Sequence, residues 1–196
     1  MIGRAEIEQA LTGAWKVFLS RPDAMRSFDT SLEGFWRSFQ AILIVAPVYL
    51  LTELSDQMGL VTNGAAVAPE KFWATEILSL VLDWIALPAL LAVIGGPLGI
   101  KRAYPAYIVV RNWATPLMLA PFAAISLLSV LGVSEDILLI PSVAAVAYSL
   151  RFSYLVVRRT LTTHLDVAIG YVVLDVLVSL AVVRVVAKLT GVDPFG

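Results

Sequence analysis

Five stretches of mostly apolar residues, each roughly 20 residues long, constrain this chain more than any other feature of its sequence. An α-helix of about 20 apolar residues crosses a bilayer core about 30 Å thick. The stretches lie at roughly 35–54, 73–95, 107–132, 137–157 and 166–188. Only 15% of the residues are charged and 59% are hydrophobic, against about 25% charged residues in soluble domains. This composition excludes a soluble enzyme and a disordered chain, and it predicts an all-α, polytopic transmembrane helix bundle with five spans.

Residues that typically begin and end helices flank these stretches. Thr30-Ser31-Leu32-Glu33 and Thr163-His164-Leu165-Asp166 have the spacing of capping boxes, which predicts helix starts before the first and fifth spans. Pro69 and Pro105 suit the first turns of the second and third helices, where the N–H that proline lacks would have no helical partner. Gly191 suits the end of the fifth helix, because glycine readily adopts the left-handed conformation found there.

The distribution of cations predicts the orientation of the chain. Eleven of the 14 Lys and Arg residues lie on the side that holds residues 1–31, and only Lys71, Arg184 and Lys188 lie on the other. Since cytoplasmic loops are enriched in cations, we expect the N-terminus to be cytoplasmic and the C-terminus to be outside. The chain then has three parts. Residues 1–31 form a cytoplasmic amphipathic segment, residues 32–190 the five-helix bundle, and residues 191–196 a short outer tail. We expect the membrane to be a bacterial inner (plasma) membrane.

The N-terminal segment contains one amphipathic helix. Ile7, Leu11, Ala14, Trp15 and Phe18 recur at helical spacing and form an apolar stripe. One interpretation is a membrane-surface helix whose Leu11, Trp15 and Phe18 lie in the inner leaflet. The other is a helix that packs on the cytoplasmic ends of the bundle and has no role in lipid sensing.

The sequence contains no motif of a known catalytic chemistry. There is no cysteine, and the only histidine, His164, occupies a predicted helix start. HExxH, GxSxG and P-loop spacings do not occur. The net charge of −1 gives no general attraction to nucleic acid. We therefore expect no enzyme, no catalytic residue, no cofactor, no metal site and no nucleic-acid partner.

Charged residues inside the spans are the best candidates for a functional site. Charges at mid-bilayer are costly, so they usually face protein or water and have partners. The candidate cluster consists of Asp83, Arg151, Asp175 and Arg184. Depth along the spans predicts an Asp175–Arg151 pair. Asp83 is expected to be protonated or paired with a snorkelling Arg184, and it shares a polar stripe with Glu76. The two aspartates either line a proton or cation site or serve a structural role.

The layout resembles the Yip1-type family of small membrane proteins, which have a cytoplasmic N-terminal segment, five closely spaced spans and a short outer C-terminus. The resemblance lies in the topology of the whole chain and is not carried by a motif. It implies a non-enzymatic scaffold or accessory protein that organises the lipid bilayer, other membrane proteins or copies of itself. The alternative is a small oligomeric transporter or channel that uses Asp83 and Asp175.

The orientation yields a first prediction. An odd number of spans that starts in the cytoplasm places Gly196 outside. A reporter that is active only in the cytoplasm should therefore give no signal when it is fused after Gly196, whereas the same reporter fused before Met1 should be active. A strong signal from the C-terminal fusion would mean an even number of spans.

Overall fold

A computed structural model of the chain describes residues 3–62, 68–162 and 164–192. All regular structure in these residues is helical. Seven α-helices follow one another along the chain: α1 Arg4–Phe18, α2 Leu32–Ser38, α3 Ile42–Thr62, α4 Pro69–Ile94, α5 Tyr104–Val130, α6 Glu135–Thr160 and α7 Leu165–Thr190. Short 3-10 helices cover Ala24–Ser27 and Phe39–Ala41, and the second of these joins α2 to α3.

Five of the helical segments are long and apolar enough to cross a membrane, which confirms the predicted fold class. The first of them begins at Leu32, and its helix continues to Thr62. Because the first apolar stretch ends near residue 54, the sequence predicts an outer loop over about 55–68, and this prediction is wrong for residues 55–62. The sequence there becomes polar but contains no proline and only one isolated glycine, Gly59, which a helix tolerates. Hydropathy marks the point where a helix leaves the bilayer, whereas the helix itself continues further.

The predicted helix boundaries are largely confirmed. The side chain of Ser31 caps α2 by accepting a hydrogen bond from the Gly34 amide at 3.1 Å, so Ser31 and not Thr30 is the capping residue. Pro69 lies in the first turn of α4, and Gly191 ends α7 with a φ of 66°. His164 precedes α7 as expected. Thr163 of that predicted capping box and residues 193–196 of the predicted tail lie outside the described residues.

The five long helices contact one another in a cyclic order, which is α3, α5, α6, α7, α4 and again α3. Helices α4 and α5 touch only slightly, and the interior between α4, α5, α6 and α7 holds a cavity. The outer faces are apolar, as the 79% exposure of Val93 on α4 and the 78% exposure of Ile140 on α6 illustrate. Exposed apolar side chains of this kind suit contact with lipid.

Helix α1 packs against the bundle, on α5 and α6. Its buried face consists of small residues, namely Ala10, Gly13, Ala14 and Val17, which allow two helices to approach closely. This face is rotated by about one position from the predicted stripe. Leu11 and Phe18 are partly buried against the bundle, whereas Trp15 remains 46% exposed beside Phe18. The packed-helix interpretation therefore accounts for Leu11 and Phe18.

Two arginines of α6 contact the end of α1. The Arg151 guanidinium lies 4.5 Å from the centroid of the Phe18 ring and 3.5 Å from the Phe18 carbonyl oxygen. Arg159 donates a hydrogen bond to the carbonyl oxygen of Ser20. The last carbonyls of a helix have no partner within the helix and carry its partial negative charge. Arg151 and Arg159 therefore stabilise the C-terminal end of α1 in its position on α6.

A second arginine contact holds the other end of α1. Arg37 on α2 lies 3.0 Å from a carboxylate oxygen of Glu6, 2.7 Å from Asp29 and 2.6 Å from Glu33. Hydrogen bonds from Ser31, together with the nearby Arg37 cation, hold the pKa of the Asp29 carboxyl below its usual range. This contribution to stability is present above the ordinary pKa of an aspartate and is lost as the pH falls through the lowered value.

Two glycines in helices yield a matched prediction. A Cβ at Gly13 would lie 2.6 Å from the Cβ of Ser27, whereas a Cβ at Gly170 on α7 would meet nothing within 4 Å. Gly13→Ala should therefore lower the free energy of unfolding by about 1–3 kcal/mol through overpacking. Gly170→Ala should raise it by about 0.5–1 kcal/mol, because alanine favours a helix.

Unfolding of both variants in detergent micelles measures the difference. Equal effects of the two substitutions would contradict the close packing of α1 on the 3-10 helix that follows it.

Candidate functional site

The cavity between α4, α5, α6 and α7 is the best candidate for a functional site. Its volume is about 230 Å³. Its polar lining includes Asp83 from α4, Arg111 and Thr115 from α5, Ser149 and Ser153 from α6, and Asp175 and Ser179 from α7. Apolar side chains such as Met118 and Phe122 complete the wall. A cavity between membrane-spanning helices that is lined in part by charged and hydroxyl side chains can hold water or a ligand.

An ion pair between α5 and α7 lies at this cavity. Nη2 of Arg111 is 3.2 Å from Oδ1 of Asp175. The two side chains are only 12% and 22% exposed, so the charges are largely removed from solvent. Helices α5 and α7 are not neighbours in the cyclic order of the bundle, and this pair therefore connects them across its interior.

Asp83 contacts a hydroxyl group and not a cation. Oδ1 of Asp83 accepts a hydrogen bond from Oγ of Ser179 at 2.6 Å. Ser179 lies one turn along α7 from Asp175, so the two carboxylates face the same cavity at neighbouring levels. Among the residues that the structure describes, Asp83 takes part in no ion pair within 4.0 Å. The cavity thus contains two carboxyl groups and one guanidinium.

The predicted Asp175–Arg151 pair is wrong. Asp175 pairs with Arg111, and Arg151 lies on the outer side of α6 against Phe18. The depths of the two residues are compatible, but Arg151 faces α1 whereas Asp175 on α7 faces the cavity. Arg184 lies exposed on α7, and Asp83 uses Ser179 as its hydrogen-bond partner. The structure therefore assembles Asp83 and Asp175 at one site, with Arg111 as the cation.

Sequence reasoning overlooked Arg111 as a site residue, although a signal for it was present. Tyr107, Arg111 and Thr115 recur at i, i+4 and i+8 on α5 and all line the cavity. The stripe of Tyr171, Asp175 and Ser179 on α7 has the same spacing. Two polar stripes with matching spacing and opposite charges indicate helices that face each other.

Four of the five hydroxyl groups that line the cavity, all except that of Tyr107, donate their hydrogens to acceptors of the protein. Ser179 donates to Asp83, Thr115 to the Arg111 carbonyl oxygen at 2.9 Å, and Ser149 to the Met118 carbonyl oxygen at 3.2 Å. Ser153 contacts the Met118 sulfur at 3.7 Å. A hydroxyl that donates its one hydrogen retains only acceptor lone pairs.

A proline on α5 explains one further contact at this site. Pro121 has no N–H, so the carbonyl of Leu117 four residues earlier has no helical donor. The hydroxyl of Tyr148 on α6 lies 3.3 Å from that carbonyl oxygen and donates to it. The side chain of one helix therefore satisfies a backbone group that a kink-forming residue has left unpaired in another.

A further polar contact connects α3 and α4. Tyr49 donates a hydrogen bond to Oε2 of Glu76 at 2.7 Å. Glu76 belongs to the polar stripe of Asp83 but lies two turns from it and does not line the cavity.

The described residues include no group of three or more His, Cys, Asp or Glu side chains arranged to hold a metal ion. His164 is exposed at the start of α7, away from the cavity. The chemistry that remains at the cavity is the binding of charged or polar species by carboxylate, guanidinium and hydroxyl groups.

Comparison with protein-family models, with curated proteins and with solved structures finds no match for this chain. The Yip1-type resemblance stays a prediction from topology.

The ion pair yields a prediction in the form of a double-mutant cycle. Arg111→Gln or Asp175→Asn alone leaves a charge largely buried without its partner, which should cost about 3–5 kcal/mol of stability. The variant with both changes should lose much less than the sum of the single losses, because no unpaired charge remains. Unfolding in detergent by heat or denaturant provides the measurement.

Arg151→Gln combined with Asp175→Asn is the matched control for this cycle. These two residues do not meet in the structure, so their losses should be additive. Additive losses for Arg111 and Asp175 would show that the ion pair does not form.

Proposed function

We propose that this protein is a non-enzymatic, multi-pass membrane protein that acts as a scaffold or accessory subunit for other membrane components. The observation that carries the proposal is that the charged side chains within the spans contact side chains of neighbouring or facing helices. Arg111 and Asp175 pair with each other, and Asp83 and Glu76 hydrogen-bond to Ser179 and Tyr49. These contacts connect helices of the bundle, and such use of intramembrane charge suits a rigid structural body.

The non-enzymatic part of this proposal is supported by the residue types in the sequence. There is no cysteine, and the single histidine is at a helix start. The proposal also includes the Yip1-type family, a bacterial inner membrane, and an N-terminus in the cytoplasm. The orientation rests on the cation distribution, and the family rests on the number and spacing of the spans.

Recovery of a partner from native membranes tests this function. The full chain with an affinity tag should retain a specific membrane protein in a fixed stoichiometry through purification in two different detergents. A five-span protein of unrelated sequence, tagged and expressed at the same level, should not retain that protein. Purification of the chain alone, without a partner or a second copy of itself, would contradict the proposal.

Transport is the second candidate function, and the polar cavity is the observation that favours it. In proteoliposomes, the wild type would then carry protons or cations, and Asp83→Asn combined with Asp175→Asn would abolish the flux. Glu76→Gln, which changes a carboxyl group outside the cavity, serves as the control. Absence of flux in the wild type would exclude this candidate and leave the scaffold function intact.

A further inference from the structure

The charge of the cavity is the first observation that identifies a ligand. Asp175 is neutralised by Arg111, whose Nη2 lies 3.2 Å from it. Asp83 is hydrogen-bonded to the hydroxyl of Ser179 and has no cation within 4.0 Å in the described part of the chain. The ionised cavity therefore holds one negative charge in excess. An unneutralised charge inside a bilayer is costly, and a bound cation would remove that cost.

The hydroxyl groups are the second observation, and it is independent of the charge. Ser149, Thr115 and Ser179 donate their hydrogens to carbonyl or carboxylate oxygens, which only accept. Their remaining lone pairs are acceptors. These hydroxyls therefore present oxygen lone pairs to a ligand. The cation of the cavity, Arg111, is paired with Asp175. Oxygen atoms of this kind are the ligands that hard cations prefer.

The size of the cavity is compatible with a small cation and a few water molecules. A water molecule occupies ~30 Å³ in the liquid, so a volume of about 230 Å³ has room for an ion with part of its hydration shell. A divalent ion usually has several carboxylate ligands, and this cavity offers one free carboxylate. A single charge therefore matches the site best.

We infer that the cavity between α4, α5, α6 and α7 is a binding site for one small monovalent cation, an alkali-metal ion or a proton, at Asp83. The hydroxyl oxygens of Ser149 and Ser179 contribute to the site, and Arg111 prevents Asp175 from acting as a second anionic ligand. This binding site goes beyond the scaffold function. If the protein is a transporter, this cation would be the transported ligand. The binding site does not require that the protein transports it.

Equilibrium binding to the purified full chain in detergent tests the inference. Radioactive sodium and rubidium, at constant ionic strength maintained with choline chloride, serve as probes. If the ligand is an alkali-metal ion, the wild type should bind one of them saturably, with close to one ion per chain. Asp83→Asn should weaken binding by about tenfold or more, because it removes the one carboxylate of the cavity that is not in an ion pair. Glu76→Gln is the matched control on the same helix and should bind as the wild type does.

Variants that retain the carboxylate keep the test decisive if Asp83→Asn does not fold. Ser149→Ala and Ser179→Ala each remove one oxygen and should weaken binding by about threefold to tenfold. Unchanged binding in both would overturn the proposed ligand set. Loss of binding in Glu76→Gln as strong as in Asp83→Asn would overturn the location of the site.

Infrared spectroscopy at neutral pH distinguishes the proton from an alkali-metal ion. If the proton is the ligand, the wild type shows the band of a protonated carboxyl group and Asp83→Asn lacks it, while neither radioactive ion binds. If neither ion binds and no such band occurs, the inference is wrong. The scaffold function would be unaffected by that result, because partner recovery tests it separately. Binding without flux in proteoliposomes would exclude transport and leave the site in place.

Discussion

The ion pair between Arg111 and Asp175 is the interaction on which the interior of the bundle depends. In a bilayer, a charge needs a partner or water, and these two groups are partners from helices that are not neighbours. For the pair to form, the polar stripe of α5 and that of α7 must both point inward. This requirement sets the rotation of both helices about their axes. Ser179 follows Asp175 by one turn and therefore reaches Asp83 on α4.

The same pair explains why the interior is not tightly packed. An ion pair that reaches across a bundle separates the backbones more than interdigitated small residues would, and the cavity of about 230 Å³ lies beside it. Helix α1 shows the opposite solution. Its buried residues Ala10, Gly13 and Ala14 are small and allow close packing, with Gly13 against Ser27 of the 3-10 helix that follows α1. The protein thus combines a close-packed contact of α1 with a cavity that contains charged side chains.

Hydropathy and helical periodicity predicted the five spans, the N-terminal helix and two of the three charged residues of the cavity. They did not predict the partner of Asp175, because depth along a helix is one coordinate and direction around its axis is another. Arg151 has a compatible depth but points outward to Phe18. The sequence indicates which way a side chain points around the helix axis only where a whole stripe is polar, as in Tyr107, Arg111 and Thr115. The order of the helices around the bundle is a property of the assembled structure, and no local pattern encodes it.

The contacts that hold α1 also set an order of events during synthesis. The carbonyl oxygen of Ser20, two residues after the end of α1, accepts a hydrogen bond from Arg159, which follows it by 139 residues. At ~5–20 residues per second, on the order of ten seconds pass between the synthesis of the two. During that interval the last carbonyls of α1 have no arginine beside them, and its apolar residues lack α5 for most of it and the complete α6 throughout. Helix α1 is therefore synthesised before the other described helices but is among the last of them to reach its native position, and it needs a temporary environment, such as the membrane surface, until α6 is in place.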